Sequence, residues 1–277
     1  MLGAAGLLFS TGGAAVKAAS LTGWQVASFR SGVAAIVLLA ALPGARRGWN
    51  WRMLPVAVAY AATLILFVLA NRLTTGANAI FLQATAPLYV LLLSPWLLKE
   101  RIRRADVFYI LAVGTGLVLF FVGRDAAVAT APDPAKGNLL ALASGVTYAL
   151  MLAGLRWHGR HGGPDSGVAT AAAGNIVACL AALPMALPVT HFGAADGAVL
   201  LYLGVVQVGL AYWCLAQAMR HVPAFEATTM LQLEPAMSPF WSWWLHREMP
   251  SVFAIGGGVI IISATLVNTW RGRVRAA

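Results

Sequence analysis

The chain has 277 residues, of which 60% are hydrophobic and 10% charged, with a net charge of +10 and a mean hydropathy of +0.78. Ordinary soluble domains carry roughly a quarter charged residues, and a soluble fold cannot cover its surface with so few. Composition therefore excludes a soluble enzyme, a nucleic-acid-binding domain and a disordered chain, and leaves a polytopic membrane protein.

Apolar segments, divided by charged residues, Pro and Gly, predict ten membrane-spanning helices. They fall at 2–20, 23–42, 53–73, 76–98, 105–123, 137–157, 167–188, 198–218, 224–245 and 251–270, each near the ~20 residues that a bilayer core requires. The runs are continuously apolar rather than alternating, which argues against a β-barrel. No basic leader with a cleavage site is evident, so no signal peptide is expected. Cys179 and Cys214 lie inside apolar runs and read as small buried hydrophobes rather than as a disulfide or a metal site.

Cytoplasmic loops collect Lys and Arg. Placing the N-terminus inside puts 13 of the 19 on that side, and Lys17, Arg72, Arg124, Lys136 and Arg247 outside. Both termini are therefore expected in the cytoplasm, with residues 271–277 as a basic tail. Trp24, Trp49, Trp51, Trp96, Trp157, Trp243, Trp244 and Trp270 fall near span ends, where amphipathic rings prefer to sit.

The fourth and ninth spans repeat one another. A shift of 148 positions aligns Pro87 with Pro235, Trp96 with Trp244, Lys99 with Arg247 and Glu100 with Glu248, without a gap. Five spans separate the copies, so they cross in opposite directions, which is the signature of an inverted-topology repeat and usually of a transporter. The expected halves are 1–123 and 137–270. A mid-span Pro and a closing Lys/Arg-Glu pair, present twice in a five-plus-five arrangement, resemble the drug/metabolite transporter superfamily and within it the EamA group. Within that group the chain resembles the YddG-type aromatic amino acid exporters of bacterial inner membranes. The resemblance implies an all-α exporter of amino acids that works by alternating access around a cavity lined by spans one, three, four, six, eight and nine.

Pro87 and Pro235 each remove a backbone hydrogen bond and free a carbonyl, of Gln83 and Leu231, so they read as hinges or as simple kinks. Glu234 stands near mid-span, where a charged carboxylate costs roughly 2.5–3.5 kcal/mol or more. It reads as a substrate-amine or proton-coupling group, or as a structural carboxyl. The cavity candidates are Ser10, Tyr60, Gln83, Tyr148, Gln207, Tyr212, Trp213 and Glu234, which combine aromatic walls with a few polar groups. Arg30, about 10 Å into its span by helical rise, either snorkels outward or meets an anion. Lys17 reads as an interfacial anchor or a contact for a substrate carboxylate. Glu100 and Glu248 read as structural helix-end charges beside basic neighbours.

No nucleotide-binding Gly-x-x-x-x-Gly-Lys-Ser/Thr loop, His-Glu-x-x-His or Gly-x-Ser-x-Gly motif occurs, so neither ATP, a metal nor any other cofactor is expected, and the chain does not read as an enzyme. The expected partners are a small-molecule substrate and membrane lipid. Close glycines at Gly114/Gly116 and Gly256–Gly258 serve packing, and leave a dimer open beside a monomer. Efflux of cationic drugs is the alternative reading.

Overall fold

A computed structural model of the chain describes residues 1–97, 104–122, 127–161, 166–218, 231 and 233–274. Helix occupies, wholly or in part, each of the ten expected segments, and among the described residues the only strand-like pairing is a single bridge between Val128 and Ala131. Seven stretches are long and apolar enough to cross a membrane: Gly23–Ala41, Trp51–Leu73, Gly76–Leu93, Pro134–Leu155, Ser166–Ala186, Ala194–Cys214 and Val252–Arg271. Leu2–Ala18 and Asp106–Val122 are shorter apolar helices. Large apolar side chains such as Ile36, Phe108 and Val252 point outward, which suits lipid rather than water.

Several spans are not continuous rods. The first divides at Thr11 into α1 (Leu2–Ser10) and α2 (Gly12–Ala18). Ser10 and Thr11 each donate a hydroxyl to the carbonyl three residues back, at 2.7 Å, competing with the helical ladder. Gly12 and Gly13, poor helix formers, follow. A capping box, in which Thr22 and Gln25 exchange side-chain and backbone bonds, starts α3 (Gly23–Ala41). Next come α4 (Leu54–Leu73) and the divided fourth span, α5 (Gly76–Gln83) and α6 (Ala86–Leu97).

That division corrects the expected kink at Pro87. The break falls at Ala84–Thr85, where Thr85 turns back to the carbonyl of Leu82. Pro87 is then the second residue of α6, where a missing N–H costs little. Beyond α7 (Arg104–Val122), α8 (Pro134–His161) and α9 (Ser166–Ala186), the eighth span runs as α10 (Ala194–Leu201), a π-helical stretch (Tyr202–Leu210) and α11 (Ala211–Ala218). In α12 (Leu233–His246) Pro235 lies in the first turn and Pro239 is the interior proline; most of the first nine residues expected for this span lie outside the described residues. The chain closes with α13 (Val252–Val274).

The packing obeys the exchange of halves that the repeat predicts. The second span packs on the seventh (α3 on α9) and the fifth on the tenth (α7 on α13), pairs that exchange maps onto themselves. The third span packs on the sixth (α4 on α8), as the eighth packs on the first. The fourth packs on the sixth (α5 and α6 on α8), as the ninth packs on the first (α12 on α1 and α2). Such reciprocity is what a pseudo-twofold axis in the membrane plane requires.

Close approach of helices rests on glycine at a few places. A Cβ at Gly258 of α13 would lie 2.5 Å from the ring of Phe81 on α5, a buried core residue. The Gly258→Ala variant is therefore expected to cost about 1–3 kcal/mol through overpacking. A melting curve of the purified protein should fall by roughly 3–10 °C; an unchanged midpoint would contradict this packing.

Candidate functional site

The helix breaks, the π-helical stretch and the first turn of α12 converge on one cavity of about 430 Å³ near the middle of the bundle, a volume in the range of small-molecule sites. Six of the eight sequence candidates line it: Tyr60, Gln83, Tyr148, Gln207, Tyr212 and Glu234. Pro87 and Pro235 line it too, with Phe9, Leu64, Phe67, Met151 and Leu152 among its apolar walls. Arg30 from the second span and Thr265 and Thr269 from the tenth also contribute, so the wall draws on two spans beyond those expected.

Two candidates stand elsewhere. Ser10 is buried behind the wall, where it accepts a 2.8 Å bond from Trp241 Nε1 and serves to hold α1 against α12. Trp213 is 38% exposed on the outer face of α11, one residue around the helix from Tyr212, which does face the cavity.

The polar groups of the wall are held from behind. Gln83 donates to Ser144 Oγ at 2.7 Å, and Ser144 donates to the carbonyl of Thr63 at 3.2 Å. The carbonyls of Leu82 and Gln83, loosened by the break, lie against Gly145 of α8; a Cβ there would be 3.1 and 3.4 Å from them. Tyr60 donates to Tyr212 at 2.5 Å across the bundle, and the Tyr212 ring meets Phe9 edge to face with centroids 5.4 Å apart. Arg30 and Glu234 share the cavity wall with Tyr60, Tyr148 and Tyr212. A guanidinium and a carboxyl therefore stand on the wall of a mostly apolar chamber.

Arg30 corrects the snorkelling reading. Its side chain is 3% exposed and turned inward, not drawn to an interface. The available signal was its depth: an ionisable group that far inside a span is a site by default.

Glu248, read as a structural helix-end charge, is in an ion pair, but with a distant partner, Lys17. The expected partner of Glu248 was its neighbour Arg247. Instead Arg247 takes the left-handed conformation, φ 56°, that usually falls to Gly after a helix. Arg247 N–H bonds Trp243 O at 2.9 Å and Glu248 N–H bonds Ser242 O at 3.4 Å, so the chain reverses and turns Glu248 into the protein. There it forms an ion pair with Lys17, both side chains being almost fully buried, at 2% and 4% exposure. Lys17 also donates to the carbonyls of Thr74 and Thr130, at 2.7 and 2.6 Å, and Glu248 accepts from Gly76 N–H at 2.9 Å. Glu100, the repeat equivalent of Glu248, lies outside the described residues.

This pair stands apart from the cavity wall, among the helix ends at one side of the bundle. From Pro235 toward Glu248, α12 packs Ser238 near Gly13, where Asn71 also closes in, and then Ser242 against Gly76. Arg72 donates to the carbonyls of Val16 and Ala19, at 3.4 and 3.0 Å, and to that of Leu21 at the same end. The cavity lies farther along the same helices. On α8 and α13 its residues lie past the midpoint, while the ion pair lies near where both helices begin.

The sequence pattern of the EamA-like transporter family matches residues 1–122 and 135–270, nearly the whole chain in two stretches. A protein known by its crystal structure shares the fold at a TM-score of 0.64 and 19% identity, over 100% of this chain and 98% of that one. No curated protein sequence matches the chain.

Removing one member of a buried ion pair leaves an uncompensated charge. Glu248→Gln is expected to destabilise the protein by about 3–5 kcal/mol, whereas Lys17→Met combined with Glu248→Leu recovers most of that loss. Denaturation of the single and double variants checks this; additive losses would show that the two side chains do not act as a pair.

Proposed function

The chain belongs to the EamA-like transporter family, and from that premise we propose that it is a secondary transporter exporting amino acids, aromatic and other amphipathic ones, across a bacterial inner membrane. In this reading the chain crosses the bilayer ten times as two inverted five-helix halves, 1–123 and 137–270, with both termini in the cytoplasm. It works without a cofactor.

The observation that carries the reading is Glu234. A carboxyl on the wall of an apolar and aromatic cavity, inside the membrane, is suited to the ammonium of a guest whose ring packs on Phe9, Tyr212 and Phe67. Protonation of the same carboxyl offers a way to couple transport to a proton gradient.

Alternating access follows from the two halves of the molecule. With the Lys17–Glu248 end outside, as the distribution of Lys and Arg requires, the closed end faces the exterior and the cavity lies on the cytoplasmic side. That arrangement suits an exporter waiting for its load. Export requires the Lys17–Glu248 pair and the Ser238 and Ser242 contacts to part while the opposite ends close, with the breaks at Thr11 and Ala84–Thr85 as points of flexure.

Uptake of radiolabelled phenylalanine into proteoliposomes, with and without an imposed pH gradient, tests this directly. Saturable uptake that unlabelled amino acids compete is expected. Glu234→Gln should lower apparent affinity about 10- to 100-fold, the worth of a hydrogen bond to a charged group, and should remove the response to the gradient. Absence of uptake, with a lipophilic cation bound instead, would move the assignment to cationic drug efflux.

A further inference from the structure

Three lysine or arginine side chains among the described residues near the cavity and its closed end are not exposed, and two of them are fully used. Lys17 is spent on Glu248 and two carbonyls, and Arg72 on the carbonyls of Val16, Ala19 and Leu21. Arg30 is not. It is buried on the cavity wall, and its Nε and Nη2 find no acceptor in the protein. Among the described residues no carboxylate forms a salt bridge with it.

A guanidinium keeps its charge under all ordinary conditions and carries five N–H donors with no acceptor. In a membrane helix it therefore either reaches the interface or spends its donors on carboxylates and carbonyls. Arg30 does neither, which marks it as waiting for an anion that the protein does not supply. Nε and Nη2 lie along one edge of the planar fork, the edge that takes both oxygens of a carboxylate. The group lines the same cavity as Tyr60, which bonds Tyr212, and as Glu234.

We propose that Arg30 is the specificity-determining residue of the cavity: it takes the carboxylate of the guest while Glu234 takes the ammonium, so that the site selects zwitterions over simple amines. This rests on the amino-acid reading above and adds what distinguishes an amino acid from a cationic amphiphile.

The test is equilibrium binding to the purified full chain in nanodiscs, measured calorimetrically. The probes are L-phenylalanine, 2-phenylethylamine, which lacks the carboxylate, and 3-phenylpropionate, which lacks the ammonium. The wild-type protein should prefer phenylalanine over 2-phenylethylamine by about 10- to 100-fold. Arg30→Gln should weaken phenylalanine by that factor and leave 2-phenylethylamine nearly unchanged, so the preference disappears. Arg30→Lys keeps the charge without the two-pronged fork and should restore only part of it.

The readout is a ratio of two ligands on one protein, which a merely structural loss would not move. Preserved preference in Arg30→Gln overturns the assignment of Arg30 and leaves the amino-acid reading standing. If Arg30→Gln does not fold, Arg30→Lys decides: a narrowed ratio supports the proposal and an unchanged one overturns it. Wild-type protein that binds 2-phenylethylamine as tightly as phenylalanine overturns the proposal, and wild-type protein that binds neither overturns the amino-acid reading itself.

Discussion

A bilayer offers no hydrogen bonds, so every polar group inside it is answered by the protein, by water in a cavity, or by a guest. The architecture of this chain sorts its interior polar groups by that rule. At one end the protein answers them: Lys17, Glu248 and Arg72 are tied to one another or to backbone carbonyls, and the reversal at Arg247 exists to bring Glu248 inward. In the middle, Arg30 and Glu234 stand on the wall of a cavity. In the proposed reading the first set makes a closed end and the second a binding chamber, and both are built along the same helices.

In the proposed transport cycle the repeat would make this division reversible. Because the third span lies on the sixth as the eighth lies on the first, each half holds the other by equivalent contacts. In the proposed cycle, a closed end on one side has a geometrically related counterpart on the other, and rocking of the halves exchanges them. The breaks at Thr11 and at Ala84–Thr85 and the π-helical stretch sit where such bending is needed. Each is built from local chemistry: hydroxyls that compete with the ladder, glycines that favour no helix, and a proline whose nitrogen needs no partner.

Much of this was legible in the sequence, because membrane helices announce themselves by continuous apolar length and the repeat by Pro and Glu at one spacing. Tyr60, Gln83, Tyr148, Gln207, Tyr212 and Glu234 were chosen by depth and polarity on spans that the family resemblance made cavity-lining, and they line the chamber. Facing was not legible. Tyr212 and Trp213 are adjacent and equally aromatic, yet 100° of helical rotation sends one to the cavity and the other outward. Ser10 was near the right depth but is engaged by Trp241. The partner of Glu248 was illegible because Lys17 lies 231 residues away and the left-handed turn at Arg247, an unusual residue for it, leaves no sequence signal. The break before Pro87 was displaced because Thr85 uses its hydroxyl locally, three residues back, which spacing alone does not reveal.

The central claim is that the Lys17–Glu248 end is a closed gate that opens in the transport cycle. Spin labels at Val128→Cys and Met249→Cys, both exposed positions beside the pair, in a background without Cys179 and Cys214, measure that end by double electron–electron resonance. The account predicts a single short distance in the otherwise unaltered protein without substrate, and a second, longer population when Glu248→Gln removes the ion pair. One unchanged distribution in both proteins, with phenylalanine or without it, would contradict the claim.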